Sequence, residues 1–75
     1  MKSKLRDIKK ELKYTPHKDL FIDPEKETIV SVHNSLENAI CMLIAMSQYS
    51  EKVELHYISS YTYDSDYQYY VELCL

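Results

Sequence analysis

Leu5, Ile8 and Leu12 fall three and then four residues apart, with lysines filling most of the positions around them. That spacing puts the three apolar side chains on one face and predicts a short amphipathic helix over residues 3–14. Ser3 can cap its start, and Thr15-Pro16 stops it, because the residue before a proline is driven out of the α region. A helix with three apolar anchors is marginal alone and has to dock on something. The period then changes. Leu20-Phe21-Ile22 and Thr28-Ile29-Val30-Ser31-Val32 are aromatic or β-branched runs joined by Asp23-Pro24-Glu25-Lys26. Asp followed by Pro suits the first two positions of a type I turn, so residues 19–32 read as a β-hairpin.

His33-Asn34-Ser35 ends the second strand and opens another helix. Asn34 with Glu37 has the spacing of a capping box, and Ser35 can serve as the cap instead. From Leu36 to about Tyr49, the residues Leu36, Ala39, Ile40, Leu43 and Met46 make one apolar stripe. Cys41, Met42, Ile44 and Ala45 make most of the remaining circumference apolar too. Such a helix needs cover on more than one side: a sheet on one, the first helix or a second subunit on another. Cys41, Met42, Ile44 and Ala45 are therefore candidate homodimer contacts.

The last 23 residues alternate. Val53, Leu55, Tyr57, Ser59, Tyr61 and Tyr63 share one face, and Tyr67, Tyr69, Val71, Leu73 and Leu75 share one face of a following strand. With Asp64-Ser65-Asp66 as the loop, Tyr57 pairs with Leu73, His56 lies opposite Cys74, and both apolar sets land on one side. The predicted architecture is α+β in the order α-β-β-α-β-β. A four-stranded, mainly antiparallel sheet carries the central helix on one face, and a short basic helix precedes it. Residues 1–75 read as one domain, a basic helical head (1–18) on an acidic body (19–75).

Composition sharpens this picture by exclusion. The chain has no glycine, so it cannot build the phosphate-cradling loops of nucleotide-binding enzymes. Its turns must be made by Asp, Asn, Ser or Pro. The formal charge of −3 hides an asymmetry: residues 1–18 hold seven basic side chains against Asp7 and Glu11, a balance of +5. Residues 19–75 hold Lys26 and Lys52 against ten acids, a balance of −8. Two surfaces of opposite potential bear on partners rather than on fold. No apolar stretch suggests a leader or a bilayer span, and the two cysteines are not in ligand-spaced groups, so a reducing cytoplasmic setting is expected, with no membrane partner.

Six of the eight tyrosines lie in the final two strands and their loop. Tyrosine is a good strand former, but it also gives contact area at low entropic cost and keeps a polar tip. Tyr61, Tyr63, Asp64, Asp66, Tyr67, Tyr69 and Tyr70 are the candidate protein-contact residues, suited to a partner with a basic surface. Base stacking by these rings fits less well, because acids surround them where phosphates would need cations. Lys4, Arg6, Lys9, Lys10 and Lys13 on the first helix are the candidate residues for a DNA- or RNA-binding alternative. His56 beside Cys74 lacks further ligands for a metal site, and Cys74 has no loop that would stabilise an oxyanion. The expectation is no metal, no cofactor and no catalysis.

The stretch from Thr28 through Val32, His33-Asn34-Ser35 and Leu36-Glu37-Asn38-Ala39-Ile40 resembles small phage and mobile-element proteins in which a strand runs into a Leu-Glu-x-Ala helix start and a closing hairpin follows. Short, acidic, tyrosine-rich α+β chains also resemble viral anti-defence inhibitors, anti-CRISPR proteins among them. The resemblance covers residues 28–75 in pattern. It implies a stoichiometric inhibitor acting in the host cytoplasm by occupying a nucleic-acid groove on its target.

Overall fold

The strand Thr28–His33 is buried at all six residues, and the sheet is built around it. The computed structural model describes residues 2–58 and 68–75. Its elements are α1 (Lys2–Leu12), β1 (Asp19–Asp23), β2 (Thr28–His33), α2 (Leu36–Ser47), β3 (Lys52–Tyr57) and β4 (Tyr69–Cys74). The four strands form one antiparallel sheet in the order β1-β2-β4-β3. Because β4 runs against both neighbours, β2 and β3 are parallel to each other, and α2 is the crossover between them. The order α-β-β-α-β-β is as the pattern predicts.

Local chemistry explains the junctions. Asp23 Oδ1 accepts from the N–H of Glu25 (3.0 Å) and Lys26 (3.4 Å), so the side chain templates the β1–β2 turn. With no glycine available, the left-handed position of this turn falls to Glu27, at φ 54°. Ser35 caps α2, its hydroxyl accepting from Asn38 N–H at 3.5 Å; Asn34 does not take that role.

Both helices lie on one side of the sheet. Leu5, Ile8 and Leu12 of α1 meet Ala39, Met42 and Met46 of α2 over Ile29, Val71 and Leu73. Small Ala39 lets α2 approach the sheet closely, and the flexible methionines fill what remains. Leu20, Ile22, Leu43, Ala45, Val53, Leu55 and Tyr69 close the margins of this core. Of the four expected dimer contacts, Met42 is fully buried in the core and Ala45 is half-buried against it. Cys41 is exposed, and Ile44 forms an exposed row with Leu36 and Ile40.

The register of the last two strands corrects the expected one. Tyr57 pairs with Tyr69 and Val53 with Leu73; His56 faces Tyr70, and Cys74 faces Lys52. The pairing is displaced by four residues from the expected Tyr57–Leu73 match. An even displacement leaves every side chain on its predicted face, which is why the apolar sets still coincide. Of the predicted contact residues, Tyr61, Tyr63, Asp64, Asp66 and Tyr67 lie outside the described residues.

One polar pair sits inside this layer. His33 is almost fully buried, its Nε2 2.8 Å from Ser31 Oγ, while its Nδ1 has no partner among the described residues. Burial lowers the His33 pKa below the ordinary 6.5, and His17 adds to the effect. A depressed folded-state value means the unfolded chain binds the extra proton more readily. Stability from neutral His33 is therefore complete above pH 6.5 and is lost as pH falls through the folded-state value. Thermal melts from pH 8 to pH 5 should show a steeper acid-side loss of Tm for the wild type than for His33→Gln; superimposable slopes would refute the assignment.

Candidate functional site

The side of the sheet opposite the helices has no covering element among the described residues, and its composition follows from strand parity. Three rows of side chains run across it, read from the pairing of the four strands. Phe21, Val30, Glu72 and Glu54 form the middle row. Asp19, Val32, Tyr70 and His56 form a second, and Asp23, Thr28, Cys74 and Lys52 a third. Val30 and Val32 are nearly buried even on this uncovered side, because neighbouring strands shelter them. Phe21 stays 41% exposed. Phe21, Val30 and Val32, with Asp23, Lys26, Glu54, His56, Tyr70 and Glu72, line a shallow depression.

The electrostatics of the depression are one-sided. Asp19, Asp23, Glu54 and Glu72 share the face with Lys52 as the strands' one cationic side chain. Glu54 and Glu72 stand directly opposite one another on neighbouring strands. Like charges in that position destabilise a sheet by a few tenths of a kcal/mol, roughly up to 1. Neighbours soften the arrangement: Thr28 Oγ1 donates to Glu72 Oε2 at 3.5 Å, and His56 Nε2 donates to Glu54 Oε2 at 2.9 Å. The His56 ring also stacks on Tyr70, centroids 4.6 Å apart and planes 13° from parallel. The stack fixes both rings as a flat, preorganised platform beside the carboxylates.

The predicted site residues separate accordingly. Tyr70 lies on the open face, whereas Tyr69 points to the helix side, against the core and 5.3 Å from the Tyr57 ring. Lys4, Arg6 and Lys10 on α1 and Lys13 just after it are exposed and Lys9 is half-buried, with α1 on the far side of the sheet from Asp19, Asp23, Glu54 and Glu72. No ion pair joins these five side chains to the acidic body among the described residues. Nor is there a group of three or more His, Cys, Asp or Glu among them able to hold a metal ion. No described helix is long and apolar enough to cross a membrane. Phe21, Glu54 and Glu72 are members of the face that the tyrosine count overlooks. The signal for them was the polar half of the same alternation that located the core.

The opposed carboxylates make a measurable claim. Glu72→Gln keeps an acceptor for Thr28 and removes the repulsion, so it should stabilise the fold by about 0.5 kcal/mol. For a chain of this size that is a rise in Tm of roughly 2–4 °C by calorimetry, and an unchanged or lowered Tm would show that the pair carries no strain.

Compared with known protein families, curated proteins and solved structures, the chain matches none.

Proposed function

We propose that the chain is a non-enzymatic protein-binding module whose open sheet face engages a basic protein surface. The observation that carries this reading is the middle of that face: Glu54 opposed to Glu72, flanked by Phe21 and by the Tyr70–His56 stack. An arginine placed between the two carboxylates would relieve their repulsion and lie beside aromatic faces, a favourable setting for a guanidinium. Strand backbones hold these groups rigidly, so little entropy is lost on binding. The sequence between β3 and β4 carries Tyr61, Tyr63, Asp64, Asp66 and Tyr67, continuing the same residue chemistry along the chain. A protein that covers a basic nucleic-acid groove in this way acts as a stoichiometric inhibitor, and that is the role proposed.

A nucleic-acid-binding role through α1 is the second reading. It is favoured by the exposed Lys4, Arg6, Lys10 and Lys13, which form no ion pairs with the body among the described residues. The two readings use opposite sides of the sheet and can be separated. By fluorescence anisotropy, a labelled oligo-arginine peptide should bind the wild-type chain in a salt-sensitive manner. Glu54→Gln/Glu72→Gln and Phe21→Ala/Tyr70→Ala should each weaken it roughly ten-fold or more while circular dichroism stays native. Indifference of the peptide to both double variants rejects the open face. Duplex DNA binding that disappears in Lys9→Glu/Lys10→Glu, with no peptide binding, transfers the function to α1.

A further inference from the structure

We propose that β3 is a self-pairing edge, through which two copies of the chain join across a two-fold axis into one continuous eight-stranded sheet. This does not depend on what the open face binds. The sheet order leaves β1 and β3 as its outer strands, and the two edges differ in kind. β1 begins and ends with aspartate, and an antiparallel copy of β1 centred on Phe21 would set Asp19 against Asp23 at both ends. Charges so placed are a common device for keeping an edge unpaired. β3 reads Lys-Val-Glu-Leu-His-Tyr and has no such block at its centre.

The direction of its free backbone groups follows from one hydrogen bond. Ile58 N–H donates to Gln68 O at 2.7 Å, and these two residues are in register with the β3–β4 ladder. Hydrogen-bonded pairs alternate along an antiparallel ladder, so the even-numbered residues of β3 turn their N–H and C=O toward β4. Val53, Leu55 and Tyr57 therefore turn theirs outward. A second β3 docked antiparallel about Leu55 uses those groups: Leu55 pairs with its own counterpart, and Val53 pairs with the second copy's Tyr57. The same register puts Glu54 opposite the second copy's His56, twice. Centring on Glu54 instead would oppose Glu54 to itself and Lys52 to His56, and centring on His56 would oppose the two imidazoles. Centring on Val53 would set Lys52 against Glu54 but pairs only residues 52–54 of β3, whereas centring on Leu55 pairs residues 53–57, so strand overlap and side chains together select the Leu55 register.

The apolar side agrees. Val53, Leu55 and Tyr57 lie on the helix side, and Tyr57 is 63% exposed, a large ring at the rim of the core with little cover in the single chain. In the proposed pair it packs beside the second copy's Val53. α2, which lies over β3 and β4, carries the exposed row Leu36, Ile40 and Ile44 in the same layer. A two-fold, self-complementary contact of this kind closes on itself and does not propagate into fibres.

Sedimentation equilibrium of the wild-type chain at tens to hundreds of micromolar should give twice the 8.9 kDa chain mass. His56→Glu sets like charges against each other at two positions and should raise the dissociation constant on the order of ten-fold. Glu54→Lys/His56→Glu sets opposite charges against each other at both positions and should return the dimer. Tyr57→Pro removes an outward N–H without touching the β4 ladder and should also leave monomers; if it fails to fold, the charge exchange still decides. A wild-type chain that stays at the single-chain mass overturns the proposal. So does a dimer whose affinity is the same in all three variants, because its contact then lies elsewhere.

Discussion

Two helices can cover one side of a four-stranded sheet, and the rest of this molecule follows from that limit. The apolar faces of α1 and α2 converge on Ile29, Val71 and Leu73, and the described residues hold no further element that covers the other side. The opposite face must then be tolerable in water while still sheltering the β-branched residues that β2 needs on both sides. Phe21 and Tyr70 resolve the conflict by flanking Val30 and Val32, and carboxylates supply the wetting. A surface of aromatic rings among acids is thus the form that such a sheet takes when its second side has no helix layer. Binding is a use to which that surface can be put, with little added cost in stability beyond the opposed Glu54 and Glu72.

How much of this could be read from residues alone depends on which physical effect decided each feature. The helix α1 was legible because three anchors at helical spacing admit one docking face, and Leu5, Ile8 and Leu12 are all buried. β2 was legible because an unbroken β-branched run fits a central strand. The face assignment of β3 and β4 survived an error of four residues in their register, since any even displacement preserves parity. The register itself was not legible. β4 must satisfy β2 and β3 together, with Thr28 and Lys52 both aligned on Cys74, and that constraint is long-range. The tyrosine loop suggested a tight hairpin only because each strand was considered with one partner.

α2 failed in a different way. Its sequence is apolar around nearly the whole circumference, so periodicity could not say which side meets the sheet. Packing made that choice: the stripe Ala39, Met42 and Met46 is fully buried, with small Ala39 permitting a close approach, while β-branched Ile40 and Ile44 are left outside. The cysteine of the run, Cys41, is exposed for the same reason. On the open face the opposite bias operated. Counting tyrosines drew notice to residues 61–70 and away from Phe21, Glu54 and Glu72, which sit far apart in sequence and meet only through strand pairing.

Charge and topology are finally one matter. The basic side chains of α1 are held in the helix layer because that helix must bury its apolar face, and the acids of β1, β3 and β4 are held on the other side because strand parity alternates. Part of the charge asymmetry along the chain thereby becomes a separation across the sheet, with Asp19, Asp23, Glu54 and Glu72 on the side away from α1. The sheet and its core lie between the α1 lysines and these four carboxylates, and among the described residues no ion pair bridges α1 to the acids. A chain that used its charges for stability would bring them together. This one keeps the α1 lysines and the open-face carboxylates apart, so both remain as surface potential of opposite sign on the two sides of the sheet.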